Sequence, residues 1–251
     1  MDVLDQKRVS SPISTGGDGV FFENHVATYW LAQLLVRSIP PILTDTGVIE
    51  VDLQTEHLGF NTDDFLVVCA RAGAANARLV GQVKRSFTVS AADDECKKAI
   101  GDFWKDFKKA DPFNPQHDRL VLVTLRGTNT LLENFVGLLD CARGAADGDE
   151  FQRRLSLEGF ISKKSVHQCN ELCHIVSALE GTPVIAKDLW PLLRLLHVLS
   201  LDLHTSTRQT EAHIKTLLAL KLLAAPEIRV NLAATSVGRD LGQASASAVA
   251  S

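Results

Sequence analysis

Within the first third of the chain, Glu23, Asp63 and Asp64 supply carboxylates, Gln82 an amide and Lys84 an ammonium group. The last four sit in two short runs. Thr-Asp-Asp-Phe-Leu-Val-Val at 62–68 and Leu-Val-Gly-Gln-Val-Lys at 79–84 are rich in Val and Leu and bounded by turn formers. Both are predicted strands. The small, Gly-containing connection at 71–78 predicts an antiparallel hairpin. Alternation then puts Asp64, Leu66 and Val68 on one face of the first strand, and Val80, Gln82 and Lys84 on one face of the second. Asp64 lies about as far before the turn as Lys84 lies after it, so pairing brings both to the same end of the sheet. Such a group is either a surface ion pair, worth roughly a few tenths of a kcal/mol, or a polar site at the open end of an apolar hairpin.

The flanking segments define how these residues are positioned. Residues 19–38 read as a helix with Glu23, Ala27, Trp30 and Leu34 on one stripe, where a carboxylate is costly unless a cation meets it. Residues 48–54 alternate, with Ile49, Val51 and Leu53 on one face and Glu50, Asp52 and Gln54 on a solvated face. Residues 91–109 predict a second long helix with Phe103, Trp104 and Phe107 on its apolar side. Its acids come early and its lysines late, as the helix dipole favours, on a solvated face laced with ion pairs. Residues 120–125 read as a buried central strand. The order is helix, three strands, helix, strand.

Glu23, the Asp63-Asp64 pair, Gln82 and Lys84 resemble, in order and element type, the motifs of the PD-(D/E)xK nuclease superfamily. The likeness covers about residues 16–126. It is nearest to the variant with Gln before x-Lys, as in Mrr-like nucleases and the double-strand DNA endonuclease domains of bacterial anti-phage effectors. The resemblance implies an α/β fold with a restriction-endonuclease-like αβββαβ core, a mixed sheet and a mainly helical subdomain after it. It implies phosphodiester hydrolysis of double-stranded DNA with Mg²⁺, or Mn²⁺ in its place, held by Asp64 and Glu23 with the Val83 main-chain carbonyl. Asp63 competes with Asp64 for the ligand role, Lys84 balances charge on the phosphate, and Gln82 replaces the family's usual acid. The resemblance also implies oligomerisation on activation and an NTPase or sensor region. No Gly-x-x-x-x-Gly-Lys-Ser/Thr occurs in the sequence, so an NTPase would lie beyond residue 251. The alternative is a nuclease-like module without catalysis that serves oligomerisation or protein binding, motivated by the neutral Gln82 and the net charge of −4.

The remaining sequence carries less chemistry. The 251 residues suit one well-buried domain with an appended part. Five irregularly spaced cysteines fit a reducing cytoplasm, and no apolar run is long enough to span a bilayer. Helices are expected over 130–141, 150–157, 163–179 and 207–224, with 190–204 running from a short helix into a strand. His167, Cys169, Cys173 and His174 are zinc-type ligands at a spacing that argues against a shared metal. The expected organisation is a flexible lead over 1–15, the core over 16–145, a mainly helical subdomain over 146–230 and a flexible tail over 231–251.

Overall fold

The structure, a computed structural model, describes residues 17–43, 46–109, 111–125, 130–203 and 208–224. The expected lead over 1–15 and tail over 231–251 lie outside these residues. The elements run α1 (Gly17–Val36), β1 (Gly47–Leu53), a 3-10 turn (Thr55–Leu58), β2 (Phe65–Ala70), β3 (Ala77–Lys84), α2 (Asp94–Lys108) and β4 (Arg119–Leu125). There follow α3 (Thr130–Gly144), α4 (Gly148–Ser156), α5 (Lys163–Glu180), α6 (Ala186–Leu193), β5 (Leu196–Leu201) and α7 (Gln209–Ala224). The chain is α/β, with a five-stranded mixed sheet in the order β1-β2-β3-β4-β5. The β1/β2 and β2/β3 pairs are antiparallel, and the β3/β4 and β4/β5 pairs are parallel. β5 falls within 190–204, the run expected to pass from a short helix into a strand, and it extends the same sheet beside β4.

Two parallel crossovers, β3-α2-β4 and β4-α3-α4-α5-α6-β5, step across the sheet in one direction. Their common handedness puts their helices on one face. There Phe103, Phe135, Phe151, Leu172 and Leu192 pack against Leu66, Val80, Leu120 and Leu122. On the opposite face α1 and α7 cover Phe65, Val67, Leu79, Val83, Val121 and Val123. β4 is buried on both sides along most of its length, as its continuous apolar run requires.

Two features of the packing differ from the sequence expectation. The buried stripe of α1 is Phe22, Val26, Tyr29, Trp30 and Gln33, so Glu23 lies one position off it and is exposed. In β1 the pairing shifts between Val48 and Glu50. This bulge turns Ile49 outward, to 41 % exposure, while Val48 is fully buried. An extra residue in an edge strand resets which side chains face the core, and simple alternation cannot anticipate it.

Gly81 pairs with Phe65 across the hairpin, and the Phe65 ring occupies the place of its missing side chain. A Cβ at Gly81 would stand 1.9 Å from Phe65 Cζ. Trp30 backs that ring at 5.4 Å between centroids, so Phe65 cannot retreat. Gly81→Ala is expected to cost about 3 kcal/mol through overpacking, read by denaturant unfolding. Phe65→Leu in the same chain should recover part of the loss. An unperturbed Gly81→Ala protein would show that the close approach is not a real constraint.

Candidate functional site

Asp64 sits just ahead of β2 rather than inside it, where the chain leaves the loop that follows the 3-10 turn. Its Oδ2 accepts hydrogen bonds from the Val83 N–H at 2.5 Å and from Gln82 Nε2 at 3.1 Å. The hairpin therefore brings Asp64, Gln82 and Val83 together at the carboxyl end of β3. Its other carboxylate oxygen has no hydrogen bond among the described residues. Burial, and then the Asp63 and Glu23 carboxylates, push the Asp64 pKa up to about 6 against the Val83 hydrogen bond and the Lys84 charge, which lower it. Asp64 is thus a crowded, half-buried acid, and the side chains that crowd it are the ones singled out from sequence.

A cavity of about 350 Å³ opens beside it, lined by Glu23, Gln54, Glu56, Asp63, Asp64 and Val83 among others. A second, of about 320 Å³, is lined by Glu23, Val83, Lys84, Arg85 and Glu95. Glu23 and Val83 form the wall between the two. Gln82 is 1 % exposed, and its Oε1 and Asp63 Oδ1 are buried with no hydrogen-bond partner among the described residues. Unsatisfied buried acceptors cost on the order of 1–3 kcal/mol each.

Lys84 shares this end of the sheet with Asp64, whose pKa its charge lowers, and its ammonium is engaged by an acid that the hairpin reading did not include. Its Nζ pairs with Glu95 Oε2 at 2.6 Å, on the first turn of α2. Its side chain is 16 % exposed and that of Glu95 69 %, so the lysine is held at the cavity mouth by an acid that reaches it from solvent.

α2 also holds the other half of the site. Asp106, fully buried, accepts from the Asn61 N–H at 2.7 Å, Asn61 Nδ2 at 2.6 Å and the Thr62 N–H at 2.8 Å. From the other side Thr55 Oγ1 donates to the Thr62 carbonyl at 2.7 Å, and the Thr55 N–H to the Asp63 carbonyl at 2.8 Å. The stretch that presents Asp63 and Asp64 is thereby clamped between α2 and the 3-10 turn. The sequence puts Asp106 among the solvated charges of that helix. The signal that could have singled it out is its place three residues after Phe103, which puts it on the buried face of the helix. Asp106→Ala leaves three donors unpaired and is expected to destabilise by about 3 kcal/mol, with Asp106→Asn intermediate. Chemical denaturation of the three proteins checks the order.

Mg²⁺ prefers oxygen donors and is usually held by one or two carboxylates, waters and substrate oxygens. The acids here, the orphaned acceptors and the main-chain carbonyls of β3 are a donor set of that kind. No group of three or more His, Cys, Asp or Glu side chains poised around a common point occurs among the described residues, so any such site would use fewer acids. Cys169 and Cys173 are buried in the core of the helical face, while His167 and His174 are exposed, so these four do not converge. Among the described residues no helix is long and apolar enough to cross a membrane. The chain matches no protein-family model, no curated protein and no solved structure.

Proposed function

We propose that the chain is a metal-dependent endonuclease acting on double-stranded DNA, built on a restriction-endonuclease-like core. The observation that carries this reading is the Asp64 carboxylate, pinned by Val83 and Gln82 where Glu23 and Asp63 also gather. In this reading Asp64 and Glu23, with the Val83 carbonyl, hold Mg²⁺ or Mn²⁺, and Asp63 is the alternative acid. When bound, the ion supplies charge neutralisation at the scissile phosphate and lowers the pKa of the attacking water. The work of the chain is to fix these groups beforehand. Val83 N–H orients the Asp64 carboxylate, Gln82 braces it without adding negative charge, and the Asp106 clamp limits the motion of the loop. Lys84 swings from Glu95 toward the phosphate and offsets charge that develops in the transition state.

The Lys84–Glu95 pair favours a second reading, a nuclease-like scaffold without catalysis that binds protein or its own copies. Incubation of supercoiled plasmid with the protein in Mg²⁺, in Mn²⁺ and in excess chelator separates the two. Linearisation only with metal supports the nuclease. An intact plasmid under every condition, with the protein folded, supports the scaffold.

A further inference from the structure

At the opposite end of the sheet lies a cavity of about 400 Å³ lined by Arg71, His117, Arg119, Arg143, Arg194 and His197. These residues arrive from separate elements. Arg71 follows β2, His117 and Arg119 lead into β4, Arg143 ends α3, Arg194 follows α6 and His197 lies in β5. Convergence of basic side-chain types from five places in the chain is a property of the fold, not of one basic run. β3 covers eight residues, so at ~3.3 Å per residue this cavity is about 20 Å or more from Asp64.

Two of the guanidinium groups donate to main-chain carbonyls, and Arg71 Nη1 lies 3.4 Å from His117 Nδ1. Arg119 Nη1 donates to the Asp118 carbonyl at 2.7 Å, and Arg143 Nη1 to the Leu196 carbonyl at 2.8 Å. Arg194 lies over the Trp190 ring at 4.9 Å from its centroid. Of the nearby acids, Asp118 is engaged by other donors and Asp140 pairs with Arg143 itself. The Asp118 carboxylate is bound by Arg78 at 2.6 Å and by the Asn114 N–H at 2.7 Å. Asp140 pairs with Arg143 Nη2 at 2.7 Å and is 65 % exposed. Burial, and then the charges of Arg194 and Arg71, lower the pKa of Arg119. His197 is drawn down to about 4 by burial, then by Arg143 and Arg119, with Asp140 opposing. Its ring makes no hydrogen bond among the described residues. Packing gives no reason to gather like charges around a concavity, since each raises the cost of the next.

We propose that this cavity binds a phosphorylated small molecule of nucleotide size, with a phosphate seated among Arg119, Arg143 and Arg194. Planar guanidinium forks match phosphate oxygens in pairs. The neutral His197 ring has one N–H that can donate to a further phosphate oxygen. The volume lies in the range of small-ligand sites, about 300–1,000 Å³. A half-open concavity of this size suits a terminal phosphate better than the continuous backbone of a duplex, which calls for a basic stripe along one face. The proposal is independent of the nuclease reading.

Isothermal titration in excess chelator, with pyrophosphate, inorganic phosphate, ATP and a short DNA duplex as probes, tests it without involving a metal at the carboxylates. Pyrophosphate or ATP should bind saturably to the wild type, and more weakly as salt rises. Arg194→Ala removes an exposed side chain whose one described contact is the Trp190 ring, so it should leave the protein folded with only a small fall in melting temperature. It should weaken binding about tenfold or more, the effect of one charge-assisted contact. Arg119→Gln should do the same if it folds. No saturable binding of any small phosphate, equal affinity in wild type and Arg194→Ala, or binding of the duplex alone overturns the proposal.

Discussion

Asp64→Asn is expected to abolish metal-dependent cleavage of duplex DNA while leaving the fold intact. Asparagine keeps the volume of the side chain and an oxygen to accept the Val83 N–H, now at 2.5 Å, but it has no charge with which to hold a divalent ion. The loss should be at least about a hundredfold, the scale of removing one essential electrostatic contact from an active site. The melting temperature should hold or rise, because the swap removes one of three crowded carboxylate charges. Sites kept for chemistry are often unfavourable for stability. Plasmid cleavage and thermal unfolding on one preparation give both readouts. Wild-type rates in Asp64→Asn, or full cleavage by the wild type in excess chelator, would remove the catalytic assignment.

In the proposed mechanism Lys84 acts in the transition state, so Lys84→Ala should slow single-turnover cleavage by about a hundredfold or more while duplex binding in the presence of metal persists. The structure adds a control that the sequence did not offer. The Lys84–Glu95 pair at 2.6 Å has one partner largely in solvent, and such a pair contributes up to about 1 kcal/mol to stability. Glu95→Gln releases the ammonium without removing it. If Lys84 serves the phosphate, Glu95→Gln retains cleavage or raises it, and Lys84→Ala loses it. If Lys84 exists only to hold Glu95, the two variants shift the melting temperature alike and neither changes cleavage. That result removes Lys84 from the catalytic assignment.

Much of the sheet was legible because its strands are buried on both faces. The Val- and Leu-rich runs of β2, β3 and β4 and the small connection between β2 and β3 have few other ways to satisfy their backbones. The hairpin in turn made the meeting of Asp64 with Gln82 predictable, since antiparallel register alone puts those positions opposite each other. What could not be read depended on one-residue displacements or on contacts distant in sequence. Glu23 and Phe22 are neighbours on α1, and only the docking of the helix decides which one the sheet covers. The β1 bulge leaves no mark in an alternating run. Lys84 and Glu95 are separated by a loop, and Asp106 meets Asn61 and Thr62 from 45 and 44 positions away. The arginines of the distal cavity are scattered singly along the sequence, so no local pattern announces them.

α2 has a mechanical consequence. Its first turn holds Lys84 through Glu95, and its last turns hold the Asn61–Thr62 backbone through Asp106. Fifteen residues of helix, about 22 Å at 1.5 Å per residue, act as a rigid bar gripping the lysine at one end and the approach to the acids at the other. Densely packed interiors transmit displacement rather than absorb it. A tilt of this bar would therefore move the ammonium and the carboxylates in opposite senses, opening or narrowing the gap between them without altering either group. Since α2 rests on α5, a load applied to α5 would be felt as a change in that spacing.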